Sequence, residues 1–289
     1  MKLSSKQKGI ILLVCSAFFF TVMNFLAKQA GDLPSIQKAF FRNIVAAFSA
    51  GIVLAKSQTG FKFQKSNLLL LILRSTFGTL GIICNFYAVQ HLFLAEATIL
   101  NKLAPFFVII FSFMFLKEKI KPYQIIAVII AFLATLLIIK PSFSGGSHIT
   151  ASLIGTLGGM VAGAAYTSVR ALSLRGENKA FIVFFFSLFS AIVMLPFFII
   201  FYQEMTLIQI TLLLLVGLSA TAAQFCITAA YGYAPARSIS LFDYTQILFA
   251  AAFGFIAFAE VPDLWSVLGF VIIFCVSLFM FLYQKKDEK

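Results

Sequence analysis

The chain has 289 residues, of which 61% are hydrophobic and only 11% are charged, and its mean hydropathy is +1.02. Soluble globular domains carry about 25% charged residues, so this composition excludes a soluble protein and indicates helices that face lipid. The formal net charge of +12 does not indicate nucleic-acid binding, because the basic residues concentrate at the ends of apolar runs. We therefore expect the lipid bilayer and a small-molecule substrate as partners, and no nucleic acid.

Polar residues, Pro and Gly divide the chain into ten apolar runs of about 20 residues, each long enough for one helical crossing of a bilayer. In chain order, the predicted spans are 8–30, 36–55, 67–90, 94–117, 122–140, 151–175, 180–202, 207–232, 236–260 and 263–283. The loops between them are too short to hold a soluble domain. We predict an all-α integral membrane protein with ten transmembrane helices.

The distribution of basic residues predicts the orientation. If the N-terminus lies in the cytoplasm, fifteen Lys and Arg residues fall on the cytoplasmic side, against three on the other side (Lys28, Lys38 and Lys140). Basic residues are enriched on the cytoplasmic side of membrane proteins, so both termini are predicted to be cytoplasmic. The expected location is the inner membrane of a bacterial cell.

The hydropathy pattern divides near residue 145. A shift of 142 positions aligns Glu118 with Glu260 and Ala88 with Ala230. Because five crossings is an odd number, two such halves must be inserted in opposite senses, an arrangement typical of secondary transporters with a binding site between the repeats. The predicted units are two inverted five-helix repeats, 1–144 and 145–289.

Two ionisable residues lie deep in predicted spans. Lys102 is about 12 Å below the outer end of the fourth helix, and Asp243 is about 10 Å from the inner end of the ninth. The 142-residue shift matches Asn101 to Asp243 and Lys102 to Tyr244, so we expect these four residues in one central zone. An unpaired charge at this depth is costly, which indicates either a substrate site or an ion pair that only locks the helices together.

Pro105 follows this pair in the fourth span. A proline inside a helix removes one hydrogen bond and pushes away the carbonyl four residues earlier, here that of Asn101. We therefore predict a kink beside the central zone, either as part of a substrate pocket or as a bend required for packing.

Further polar residues in the spans are candidates for lining a cavity. The predicted substrate-binding residues are Arg74, Asn85, Asn101, Lys102, Tyr166, Gln224, Asp243 and Tyr244. Their alternatives are an interhelical hydrogen bond for the uncharged residues and extension to the membrane surface for Arg74. Arg42 and Glu96 lie near the outer ends of their helices, where they either form a charge pair that closes the outer side or never meet. Glycines at four-residue spacing on the sixth span predict close helix packing (Gly155, Gly159 and Gly163).

Several short motifs resemble those of the EamA-type drug/metabolite transporter superfamily. They are Asn85-Phe86-Tyr87-Ala88, Ala95-Glu96-Ala97, Leu103-Ala104-Pro105 and Leu116-Lys117-Glu118. The resemblance covers nearly the whole chain and implies a ten-span carrier of small molecules. The position that matches Pro105 in the second half is Ile247, which leaves open whether the two halves flex equivalently.

Two arginine motifs, Phe41-Arg42-Asn43 and Leu73-Arg74-Ser75, resemble those of family members that take up metabolites, including S-adenosylmethionine and riboflavin carriers. The resemblance does not fix the substrate. It implies a secondary transporter that moves a small amphipathic organic metabolite (S-adenosylmethionine-, vitamin- or amino-acid-like) across the inner membrane by alternating access.

The sequence lacks a phosphate-binding Gly-rich loop and the short motifs of metal or triad enzymes. We therefore predict no enzymatic activity, no cofactor and no metal site. An exporter of amino acids or drugs, a channel, and a membrane protein without transport activity are the open alternatives. Assembly as a homodimer is also left open.

Overall fold

The computed structural model describes residues 4–57, 60–117, 122–139, 147–233 and 240–286. Within these ranges all regular structure is helical. The α-helices are α1 (Ser5–Gln29), α2 (Ser35–Ala55), α3 (Leu68–His91), α4 (Leu94–Asn101), α5 (Ala104–Leu116), α6 (Pro122–Ile139), α7 (Ser147–Leu174), α8 (Lys179–Ile200), α9 (Leu207–Tyr233), α10 (Thr245–Phe258) and α11 (Leu264–Lys286). Two short 3-10 segments, Lys65–Asn67 and Ser240–Tyr244, precede α3 and α10.

The helices are long and apolar, as the composition requires. Within the described residues, seven helical segments are long and apolar enough to cross a membrane, and three shorter apolar helical stretches are found in Pro122–Leu137, Phe242–Phe258 and Leu264–Val276. Together they overlap all ten predicted spans. The membrane fold is thus confirmed, whereas ten crossings stay a prediction.

The apolar surface of the protein lies outside and much of its polar surface lies inside. Large apolar side chains face outward, Leu207 and Ile256 each with 82% of their surface exposed. Polar side chains such as Ser16, Asn43 and Ser190 are fully buried between helices. This arrangement suits lipid as the solvent, because hydrocarbon accepts Leu and Ile but cannot hydrogen bond to Ser or Asn.

The helix packing reflects two related halves. Helix α3 packs against α7, and α1 packs against α9. The 142-residue shift relates α1 to α7 and α3 to α9, so it converts the first of these pairs into the second. Helix α2 packs against α8 and α6 packs against α11, and each of these pairs consists of the two equivalent helices of the halves. The predicted boundary between residues 144 and 145 lies outside the described residues.

The fourth span is broken, not kinked. Helix α4 ends at Asn101, four residues before Pro105, and α5 begins at Ala104. Pro105 lies in the first turn of α5, where its missing N–H costs no helical hydrogen bond. The predicted span over 94–117 is present as Leu94–Leu116, but it contains a break at Lys102 and Leu103 in place of the predicted kink, because Pro105 starts a helix instead of bending one.

The ninth span has a matching interruption. In place of the continuous helix predicted over 236–260, the described part contains the 3-10 segment Ser240–Tyr244 and then α10. Asp243 and Tyr244 in this segment lie 142 positions after Asn101 and Lys102 at the first break. The described part of each half thus departs from regular α-helix at matched positions, and we refer to these two places as the breaks.

The ends of these two helices also match. Lys117 after α5 and Ala259 after α10 have left-handed backbone angles, with φ of 55° and 52°. They are the only residues other than glycine with positive φ in the described part of the chain, and they are 142 positions apart. Since such residues rarely adopt this conformation, its occurrence at matched positions indicates an internal repeat. Glu260 follows the second cap, and Glu118, its counterpart, lies outside the described residues.

The glycines of α7 pack against the first break, which confirms the predicted packing role. A Cβ atom on Gly159 would lie 2.5 Å from the carbonyl oxygen of Leu100, and one on Gly163 would lie 2.5 Å from Cβ of Phe107. At Gly155 the nearest atom would be Cδ1 of Leu100, at 2.9 Å. Helix α7 therefore fits closely against both sides of the α4–α5 break and fixes its position.

Candidate substrate site

A cavity of about 130 Å³ lies between the two broken helices and the helices around them. This volume is close to that of cavities that accept small organic molecules in other proteins. Eight of the ten predicted site residues line it, namely Arg42, Arg74, Asn85, Asn101, Lys102, Tyr166, Gln224 and Asp243. The other two, Glu96 and Tyr244, lie elsewhere.

The ion pair between Lys102 and Asp243 forms at the two breaks. Lys102 Nζ donates a hydrogen bond to Asp243 Oδ2 at 2.5 Å, and 10% and 21% of the two side-chain surfaces are exposed. Asp243 Oδ1 is buried and accepts no hydrogen bond within the described structure. An unsatisfied buried acceptor costs about 1–3 kcal/mol, so a hydrogen-bond donor from a ligand would be favourable at this oxygen. One oxygen of Asp243 is therefore available to a ligand.

Tyr244 acts on the backbone and does not line the cavity. Its hydroxyl donates to the backbone carbonyl of Lys102 at 3.4 Å, and only 7% of the residue is exposed. The break leaves backbone groups without helical partners, and such groups must be satisfied within the protein at membrane depth. Tyr244 thus supports the first break from the second half, and its predicted contact with a substrate stays a prediction.

Two arginines are buried beside one phenylalanine ring. The guanidinium carbon of Arg74 lies 4.1 Å from the ring centroid of Phe186, and that of Arg42 lies 5.7 Å from it. Arg42 Nη1 donates to Asn43 Oδ1 at 2.7 Å, but Nε of each arginine has no partner in the described structure. No described carboxylate forms a salt bridge with either arginine. The alternative in which Arg74 extends to the membrane surface is wrong, since its side chain reaches the cavity.

A glycine makes room for these side chains. A Cβ atom on Gly78 would lie 2.1 Å from Nη1 of Arg74 and 2.7 Å from Cε2 of Phe186. Neither Gly78 nor Phe186 was predicted from the sequence. Gly78 lies one helical turn after Arg74 and hence on the same helix face, so the sequence could have indicated it as a neighbour of Arg74. Phe186 is one of 37 phenylalanines, and nothing in the sequence distinguishes it from the others.

Uncharged polar residues complete the lining. Asn85 Nδ2 donates to Asn24 Oδ1 at 3.1 Å, and Gln246 also faces the cavity. Tyr166 also lines the cavity, with 51% of its surface exposed. The sequence prediction missed Asn24 and Gln246, although an amide inside an apolar run was a signal for each.

The expected charge pair between Arg42 and Glu96 is not formed. Glu96 Oε1 accepts a hydrogen bond from Ser266 at 2.7 Å, and its Oε2 lies 3.3 Å from Nε2 of His148. Glu96 is in the first turn of α4, on the side that faces α7 and α11, whereas Arg42 projects from α2 toward Phe186. The two helix faces point in different directions, which the positions along the chain do not reveal.

A different pair forms on the predicted outer side. Lys28 Nζ contacts Glu260 Oε1 and donates to the carbonyl oxygen of Leu92 at 2.6 Å. Glu260 Oε2 accepts the backbone N–H of Leu94 at 2.6 Å, at the start of α4. Glu260 is 6% exposed, so this contact ties α1, α10 and the α3–α4 connection together in the protein interior.

Comparisons with known proteins agree with this architecture. The sequence profile of the EamA-like transporter family matches residues 7–140 and again residues 150–282. The chain is 33% identical over 282 residues to the pseudopaline exporter CntI of Pseudomonas aeruginosa, covering 96% of this chain and 98% of that protein. It is 29% identical over 275 residues to mouse solute carrier family 35 member G1, covering 90% and 74% of the two chains.

Two more distant likenesses extend over almost the full length. The chain is 26% identical over 279 residues to a riboflavin transporter of Brucella anthropi, covering 92% of this chain and 95% of that protein. A solved structure with 13% identity matches with a TM-score of 0.67 over 97% of this chain and 99% of that one, which shows the fold alone.

The apolar helices, the buried polar cavity and the named relatives define a multi-pass membrane transporter of small metabolites. The chain belongs to the EamA-like transporter family, whose profile it matches in both halves.

Proposed function

We propose that the protein is a secondary transporter that moves a small amphipathic organic metabolite across a bacterial inner membrane by alternating access. The observation that carries this proposal is the cavity between two helices broken at matched positions, with Lys102 and Asp243 at the breaks. Interrupted helices at a repeat interface are a common binding-site design of secondary transporters, and ionisable residues in the membrane mark substrate or ion pathways.

The membrane arrangement that we propose has ten crossings in two inverted repeats, with both termini in the cytoplasm. The double family match and the exchange of helix pairings between the halves support the repeat. The bias of fifteen basic residues against three supports the orientation.

Alternating access requires contacts that close one side at a time. The Lys28–Glu260 contact is a candidate for closing the predicted outer side. The 142-residue shift relates Lys28 to Arg170 and Glu260 to Glu118, which both belong to the predicted cytoplasmic half of the membrane. We propose that Arg170 and Glu118 close the cytoplasmic side in the opposite state.

Export is the direction that we propose for net transport. The relative that is 33% identical over almost the full length is named an exporter. Uptake is the second candidate, because the arginine motifs resemble those of family members that import metabolites and because another relative is named a riboflavin transporter.

The test begins with untargeted metabolomics of cells and medium, with and without the protein. Compounds that differ are then assayed with purified protein in proteoliposomes. Saturation and counterflow are expected of a carrier, whereas a channel shows neither. The sign of the difference between cells and medium decides between export and uptake. The proposal fails if no compound is moved or bound.

A further inference from the structure

The charges around the cavity do not balance. Among the described residues, its lining contains three cationic side chains, Arg42, Arg74 and Lys102, but one carboxylate, that of Asp243. The 2.5 Å contact pairs Lys102 with this carboxylate. Two guanidinium groups therefore remain, buried beside the same ring and without a salt bridge in the described part of the chain.

Two neighbouring cations in a membrane interior require compensation. The ring of Phe186 attracts each guanidinium through its negative face, but such an attraction is worth only about 2 kcal/mol when desolvated. A charge at the bilayer centre costs more than this, and the two arginines also repel each other. The missing partner is most simply supplied by the ligand, because a planar guanidinium matches a carboxylate or phosphate with two parallel hydrogen bonds.

Asp243 contributes a complementary feature to the same lining. Asp243 Oδ1 is buried without a hydrogen-bond donor in the described structure, so it selects a ligand that donates an N–H there. Tyr166 lies in the same lining. The two arginines and Asp243 thus line one cavity.

We infer that the cavity binds a small organic molecule with two anionic charges and one amine: the anionic part lies on Arg42 and Arg74, and the amine donates to Asp243. An amino dicarboxylate and an amine-bearing phosphate monoester share this chemistry. The inference names the substrate class for the proposed transport function, and it rests on that function for the bound molecule to be the one transported.

Binding is tested by the thermal unfolding of the purified protein in detergent with compounds of nearly equal size. The compounds are glutamate, glutarate, δ-aminovalerate, cadaverine, glutaramide and O-phosphoethanolamine. Glutamate or O-phosphoethanolamine, or both, should raise the unfolding temperature in a saturable way, since a ligand of the folded state stabilises it. The more effective of the two identifies the source of the anionic charge. Glutarate should be weaker, and cadaverine and glutaramide should have no effect.

Variants assign the effect to the site. Arg42→Gln and Arg74→Gln should each raise the half-saturating concentration about tenfold or more, because each removes a charge-assisted hydrogen bond. Arg74→Lys keeps the charge but loses the paired donors, and it should be intermediate. In Asp243→Asn the advantage of glutamate over glutarate should disappear. The control Lys56→Gln removes a positive charge from an exposed helix end and should change nothing.

Stabilisation by cadaverine or glutaramide equal to that by glutamate overturns the inference, as does an undiminished anion effect in both arginine-to-glutamine variants. The comparison of compounds on the wild-type protein tests the inference even if a variant does not fold.

Failure of the proposed transport function can be distinguished from failure of this inference. If proteoliposomes show counterflow of a neutral or cationic compound, the transport function stands and the inference is wrong. If amine-bearing anions bind through the arginines but no compound is moved, the binding site stands and the transport proposal is wrong.

Discussion

Lys102 donates a hydrogen bond to Asp243 at 2.5 Å, and the two residues occupy the breaks of two helices from opposite halves of the chain. The contact joins the two repeats at matched positions where the described backbone departs from regular α-helix. The hydroxyl of Tyr244 donates a hydrogen bond to the carbonyl oxygen of Lys102 at the same point. Any movement of one half against the other must therefore alter the surroundings of this pair.

The first prediction separates transport from folding at this pair. Asp243→Asn should reduce substrate flux at least about tenfold while the folded yield stays near normal, because the amide oxygen still accepts from Lys102. Lys102→Met should lower the folded yield, since it leaves a buried carboxylate without its partner. The double variant should recover folding but not flux. Folded yield is measured by size-exclusion chromatography and flux by counterflow; full flux in the double variant would show a purely structural pair.

The second prediction concerns the space for Arg74. Gly78→Ala places a Cβ atom 2.1 Å from the present position of Nη1, so the guanidinium must leave the ring of Phe186. We expect the KM for transport to rise about tenfold, because the displaced arginine no longer meets the substrate anion. Gly81→Ala on the same helix also adds a methyl group to the cavity lining, but its nearest neighbours would be at an ordinary 3.5 Å, so it controls for the loss of cavity space alone. Equal KM values for the two variants would contradict the role of Gly78.

The third prediction concerns the packing of α7 against the break. Gly159→Ala should destabilise the protein by about 1–3 kcal/mol, because the new methyl group would meet the backbone oxygen of Leu100 at 2.5 Å. Gly155→Ala should cost less, since its nearest neighbour is the flexible end of the Leu100 side chain. Thermal unfolding in detergent measures both. The reverse order would mean that α7 does not hold the break in this way.

The fourth prediction separates the two contacts of Glu260. Glu260→Gln loses the charge that faces Lys28 but keeps an oxygen for the N–H of Leu94, whereas Glu260→Leu loses both. We expect both variants to impair transport and only the leucine variant to lower the unfolding temperature strongly, because it leaves a buried helix end uncapped. Normal flux in Glu260→Gln would rule out a closing role for the charge pair.

The fifth prediction tests the orientation. In a background without the four native cysteines, a cysteine introduced within 145–148 should react with a membrane-impermeant reagent from outside, and one within 58–62 only from the cytoplasm. Labelling of both positions from the same face is incompatible with the proposed topology. A cysteine at the first residue of α7, Ser147, is a convenient choice for the outer position.

The sequence by itself determined the membrane class, the positions of the apolar helices and most members of the cavity. These follow from local rules: hydrocarbon tolerates few charges, so polar residues deep in a span are rare enough to be identified individually. Lys102 and Asp243 were found in this way, and the 142-residue shift brought their depths together. The glycine spacing on α7 predicted close packing by an equally local rule.

Only the tertiary structure decided which faces of the helices meet. The spans are apolar on all sides, so no amphipathic period reveals the inward face. For that reason Arg42 could be placed near Glu96 by depth, whereas the rotation of α2 turns it toward Phe186 and leaves Glu96 with Ser266 and His148. The break at Asn101, instead of a kink at Pro105, likewise depends on contacts with α7 and Tyr244 that stabilise an irregular backbone only where another part of the chain satisfies it.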